Sequence, residues 1–198
     1  MDIRTRLIRL AVEPRDPAAM ALAGVLGAAF ERHGLRTLPI PGLDARATRR
    51  LLALWFPHAD AALGLDWTAL EGAGRKEPRS DEIEDLRALL SDHADAGAGS
   101  AEECEAVAFA LACASLGDNH LWQDLYLPSR RELTELIGRW FPALAARNTH
   151  DMKWKKFFYK QLCEREALFI CKAPSCGVCT DYRVCFGPEE AAPAAVQA

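Results

Sequence analysis

Two stretches of this chain read as amphipathic helices and stop on the same three residues. DARATRRLLALWFP runs from Asp44 to Pro57, SRRELTELIGRWFP runs from Ser129 to Pro142, and the two align without a gap. Each opens on a residue whose side-chain oxygen can cap a helix, and each closes on Trp-Phe-Pro, where proline has no N–H for another turn. Punctuation of this kind leaves helices and short corners as the building material. Another helix is predicted from Pro17 to His33, where Leu22, Val25, Leu26, Ala29 and Phe30 recur at three- and four-residue steps before Gly34. One more starts around Asp81, with Glu84 completing a capping box and Ile83, Leu86, Leu89 and Leu90 forming the stripe. Ser100-x-x-Glu103 opens a helix carrying Cys104, Val107 and Leu111 on one face, and Gly117 stops it. Ser129-x-x-Glu132 opens the next, with Leu133, Leu136, Ile137 and Trp140 inward. No segment alternates in the manner of a strand between hairpin turns. The expected class is all-α, a helical bundle built from two similar helical units, with an irregular C-terminal cysteine loop.

A length of 198 residues suits one core with a small appendage. Residues 1–146 are expected to form a helical core. Residues 147–188 are expected to add a basic aromatic helix and a cysteine loop packed on the same domain, and 189–198 a disordered tail. Inside the core, EGAGRKEPRS reads as an exposed link. The net charge of −4 speaks against a nucleic-acid partner. It is unevenly spread, because the stretch from Arg147 to Cys185 holds eight basic residues against four acidic ones. No apolar run reaches the length needed to cross a bilayer, and arginines interrupt the N-terminal residues too often for a signal peptide. The expected compartment is the reducing cytoplasm, and an odd count of seven cysteines agrees with thiols rather than bridges.

Four of those cysteines, Cys171, Cys176, Cys179 and Cys185, follow a C-x4-C-x2-C-x5-C spacing. Pro174, Gly177, Gly187 and Pro188 exclude a continuous helix there. Structural zinc commonly uses two short knuckles set a dozen or more residues apart, and only Cys176-Gly177-Val178-Cys179 has that form. An iron–sulfur cluster is larger, so one irregular segment can wrap it and deliver thiolates at uneven intervals. The spacing favours the cluster and leaves zinc open. Preceding the loop, a helix from about Asp151 to Glu166 places Trp154, Phe157, Phe158 and Leu162 inward with lysines between them.

GDNHLWQDL from Gly117, RWFPALAARNTHDMKWKKFFYKQLCERE from Arg139 and CKAPSCGVCTDYRVCFGPE from Cys171 together closely resemble the NifQ family of nitrogen-fixation proteins. The resemblance covers about residues 117–188 and shows no departure from the family's cysteine motif. It implies an iron–sulfur molybdoprotein that holds molybdenum in a Mo-Fe-S cluster. It further implies delivery to the NifEN scaffold, with NifH, during synthesis of the nitrogenase iron–molybdenum cofactor. Such a protein is a carrier rather than an enzyme, and no catalytic constellation is evident in the sequence. Two other readings stay open: a zinc-stabilised helical adaptor, and an electron-transfer or redox-sensing iron–sulfur protein.

The remaining candidates follow from that chemistry. Molybdate is a doubly charged oxyanion, so Lys153, Lys155, Lys156 and Lys172 are candidates for gathering it or for docking a partner, with Lys160 on the same helix. Soft sulfur ligands suit lower-valent molybdenum. His150, beside Asp151 as a possible ring orienter, and His120 are candidate nitrogen ligands, and Cys163 is a candidate extra thiolate. Cys104 and Cys113 sit among alanines and read as core.

Overall fold

The computed structural model describes residues 1–71, 79–167 and 182–189. Every regular element among them is helical, as the patterning predicts. The chain divides into two units, Met1–Arg147 and Asn148–Ala198. The first contains α1 (Ile3–Leu10), α2 (Pro17–His33), α3 (Ala45–Trp55), α4 (Ala59–Leu63), α5 (Trp67–Glu71), α6 (Ser80–Ser91), α7 (Ala101–Ser115), α8 (Leu121–Asp124), α9 (Arg130–Trp140) and α10 (Pro142–Ala145). The second contains α11 (Trp154–Arg165) and α12 (Tyr182–Phe186).

Helix α2 takes the limits its sequence announces. Asp16 accepts from the Ala18 N–H at 2.7 Å, Pro17 pre-sets the first turn, and Gly34 ends the helix at φ 82°. Helix α7 opens on the expected capping box, with the Glu103 N–H donating to Ser100 Oγ at 3.2 Å and the Ser100 N–H to Glu103 Oε2 at 2.7 Å. Both helices are rich in alanine and buried over most of their length, so they form the centre of the unit. Small residues let neighbours come close. A Cβ on Gly27 would lie 2.9 Å from the backbone nitrogen of Arg4 in α1.

Helix α6 begins one residue before the expected start. Ser80 is already helical, and the residue before it, Arg79, makes no side-chain cap. The predicted Asp81–Glu84 capping box is therefore absent. Asp81 and Glu82 instead lie in the first turn, where negative charge suits the helix dipole, and Arg79 grips Glu82 at 2.7 and 3.0 Å. Helix α1 goes unannounced by the sequence pattern: Arg4, Arg6 and Arg9 break up its apolar residues, leaving Leu7 as its buried anchor.

The gapless sequence echo has a structural counterpart. Helices α3 and α9 each span 11 residues, and Asp44 and Ser129 each cap the first turn with a side-chain oxygen. Both end at a phenylalanine in nearly the same conformation, Phe56 at φ −135° and Phe141 at φ −136°. The Trp55 carbonyl accepts from the Val12 N–H at 3.1 Å, and the Trp140 carbonyl from the Asp95 N–H at 2.9 Å. Val12 precedes α2 and Asp95 precedes α7, so each corner ties back to the entrance of its own long helix. The packing repeats as well: α1 lies on α2 as α6 lies on α7, and α2 meets α9 as α7 meets α3. Where the two sets meet, α2 packs on α7 and the indoles of Trp55 and Trp140 lie 6.1 Å apart at 52°. The halves differ at the residue before each Trp. Arg139 reaches Asp16 at 3.0 Å, whereas its counterpart Leu54 is 38% exposed beside a groove of about 320 Å³.

In the second unit the aromatic helix begins at Trp154 rather than near Asp151, because Asp151 adopts a left-handed φ of 53°. Trp154, Phe157 and Phe158 are buried as expected. Gln161, not Leu162, completes the buried face, and its amide donates to Glu164 at 2.6 Å. Of the expected tail, residues 190–198 lie outside the described residues.

Candidate metal centre

The segment that leads into α11 is braced by one side chain. Asn148 Oδ1 accepts from the Met152 N–H at 2.8 Å, and Asn148 Nδ2 donates to the Met152 carbonyl at 2.9 Å. The Asn148 carbonyl accepts from the Asp151 N–H at 3.1 Å, closing a tight turn that holds His150 at its tip. Asn, Thr and Asp in succession favour such a turn, and Asp is among the few side chains that tolerate positive φ.

Met152 is buried, and the next residue makes the connection that matters for the cysteines. The Lys153 N–H donates to the Cys185 carbonyl at 2.8 Å. This bond joins the two ends of segment 153–185. At the far end, Tyr182 and Phe186 of α12 stack at 4.5 Å and 22°, with half-buried Cys185 between them in sequence.

Among the expected thiolate ligands, the structure therefore places Cys185, at the start of α11. Cys171, Cys176 and Cys179 lie outside the described residues, as does Lys172. Cys163 is half-buried near the end of α11. Among the described residues, no three His, Cys, Asp or Glu side chains gather into a metal-binding group. His150 is exposed, and the partner on its Nδ1 is the Thr149 hydroxyl at 2.9 Å. That contact fixes one side of the imidazole and directs Nε2 away from it. His120 belongs to the first unit, where it opens α8 with its N–H held by Gln123 Oε1 at 3.0 Å. Sequence reading passed over Asn148 and Thr149, although the run Asn-Thr-His-Asp is itself a turn signal.

The lysines occupy an unusual place on their helix. Lys153 is the N-cap of α11, Lys155 and Lys156 follow in its first turn, and that turn contains no acid. A helix N-terminus presents unpaired N–H groups and a partial positive charge, so cations there work against helix stability. Lys156 and Lys160 are exposed, and Lys160 pairs with Glu164 at 3.6 Å. Trp154, Phe157 and Phe158 anchor the opposite face, with ring centroids 5.7 to 6.2 Å apart.

A family model described as NifQ matches residues 21–187, an interval that takes in all four cysteines of the motif. Protein NifQ of Azotobacter vinelandii is 42% identical over 166 residues, covering 80% of this chain and 84% of that protein. A NifQ homolog of Sinorhizobium fredii is 44% identical over 123 residues, or 61% of this chain and 51% of the relative. Protein NifQ of Rhodobacter capsulatus is 45% identical over 87 residues, 44% of this chain and 48% of the relative. The chain thus spans about half the length of these last two. No solved structure matches.

Proposed function

The chain belongs to the NifQ family of nitrogen-fixation proteins, and from that premise we propose that it is a molybdenum carrier for the nitrogenase iron–molybdenum cofactor. Its cargo is a Mo-Fe-S cluster, and its recipient is the NifEN scaffold, acting with NifH. The observation that carries the reading is that the family match extends through Cys171, Cys176, Cys179 and Cys185. Thiolates are the ligands iron–sulfur clusters use, and soft sulfur suits molybdenum once it has left the oxyanion state.

Three cysteines would hold iron, and the remaining thiolate and His150 would be the ligands offered to molybdenum. A corner bound by fewer protein ligands is the one to hand over, which is the property of a carrier rather than a catalyst. A reducing cytoplasm keeps the thiols available. The lysines of α11 support the reading because they sit where helix stability disfavours them, which suits a surface that meets an anion or an acidic partner.

Anaerobic purification with elemental analysis tests the proposal. The expected protein is brown, bleaches with dithionite and retains molybdenum along with iron. Colourless protein containing zinc would establish the helical adaptor. Iron and sulfide without molybdenum would establish an electron-transfer or redox-sensing protein. Cys176→Ser and Cys179→Ser are expected to lose most of the iron while the helical circular dichroism persists.

A further inference from the structure

We propose that Asn148 is a positioning residue for Cys185, acting through the backbone of Lys153. The inference rests on the reading of Cys185 as a cluster ligand and adds the device that presents it. Asn148 uses both ends of its amide on Met152, accepting at 2.8 Å and donating at 2.9 Å. Met152 is thereby held on both its backbone polar groups, and the following peptide, which carries the Lys153 N–H, is held with it. That N–H reaches the Cys185 carbonyl at 2.8 Å.

The chain of constraint has few joints. Asn148 is half-buried and Met152 is 6% exposed, so the turn cannot swing freely. Asp151 takes a left-handed φ of 53°, a conformation that persists in a non-glycine residue only where its surroundings over-determine it. The Asn148 amide supplies that surrounding order. On the other side of the bond, Cys185 lies in the five-residue helix α12, too short to hold itself in place. The Lys153 contact is therefore an external anchor for the element that carries the thiol.

Lys153 separates two roles of one residue. Its ammonium belongs to the basic face of α11, whereas its N–H holds Cys185. Lys153 has φ −54°, close to the value proline enforces, so Lys153→Pro deletes the donor at little conformational cost. Lys153→Ala removes the charge and keeps the donor.

The test uses reduced, metal-free full-length protein and iodoacetamide, with each cysteine followed by peptide mass spectrometry. Lys153→Pro and Asn148→Ala are expected to speed alkylation of Cys185 by about three- to ten-fold, the factor expected for one lost hydrogen bond. Lys153→Ala should match the wild type. Asn148→Asp, which keeps the acceptor and loses the donor, should fall between. Buried Cys104 is the internal reference, because general loosening would raise its rate as well. Iron retained after anaerobic reconstitution at limiting iron should fall in Lys153→Pro and Asn148→Ala.

Equal Cys185 rates in Lys153→Pro and Lys153→Ala would overturn the inference, as would a wild-type rate in Asn148→Ala. Faster alkylation with iron retention unchanged would overturn it as well, since Cys185 would then be anchored but not presented as a ligand. Failure of the cluster reading itself looks different: the wild-type protein would not take up iron.

Discussion

At the residue scale, Cys104 and His150 stand at opposite ends of burial. Cys104 lies inside α7, and burial, followed by the nearby charges of Glu103 and Asp95, pushes its thiol above the ordinary value of 9.0. On raising the pH, the unfolded chain releases this proton first. Stability is therefore intact below about pH 9 and falls above it. Urea unfolding at pH 8 and pH 10 should show the loss, and Cys104→Ala should flatten the dependence. His150 is the opposite kind of residue, exposed at the tip of its turn with Nδ1 occupied by Thr149. His150→Ala is expected to lower molybdenum content while iron and the brown colour remain. Loss of iron with molybdenum retained would remove His150 from the molybdenum corner. The cysteines and histidines were legible as candidates because their chemistry resides in the side chain. The bond that places Cys185 joins a backbone N–H to a backbone carbonyl, groups that every non-proline residue carries, so no letter of the sequence marks it.

At the scale of elements, glycine gives two predictions of opposite sign. Gly27 lies where α2 meets α1, and a Cβ there would press on the Arg4 backbone, which cannot turn aside as a side chain would. Gly27→Ala should cost about 1–3 kcal/mol in chemical denaturation despite alanine's better helix propensity. Gly138 in α9 has nothing within 4 Å of that position, so Gly138→Ala should stabilise by about 0.5–1 kcal/mol. Its sibling helix α3 already carries Ala53 there. The lysines of α11 allow a similar separation of effects. Reversing Lys155 and Lys156 to Glu should stabilise the helix by about 0.3–1 kcal/mol each, because acid suits a helix N-terminus. The same change should slow transfer of molybdenum and blunt its salt dependence. Unchanged transfer at low and high salt would make these lysines an ordinary solvated face. Helices with strong caps and stops, such as α2, α7 and α9, were readable to within a residue or two. The start of α11 was not, since the left-handed Asp151 that delays it is tolerated because Asn148 braces the turn.

On the scale of the whole molecule, every regular element among the described residues is a helix, and none of those helices is long and apolar enough to cross a membrane. The echo between Asp44–Pro57 and Ser129–Pro142 could be read from the letters, but the partnership of the two stretches could not. Each Trp carbonyl faces its own half, through Val12 or Asp95, while the two indoles face each other. Backbone thus closes each half on itself, and side chains close it on its sibling. In the language of assembly, the arrangement is that of two partner subunits carried on one polypeptide, and it has a consequence that can be measured. Cut between Gly74 and Arg75 and produced as two separate polypeptides, the halves should find one another and co-purify. Trp140→Ala should weaken that reunion, because it removes one of the two indoles that meet between the siblings.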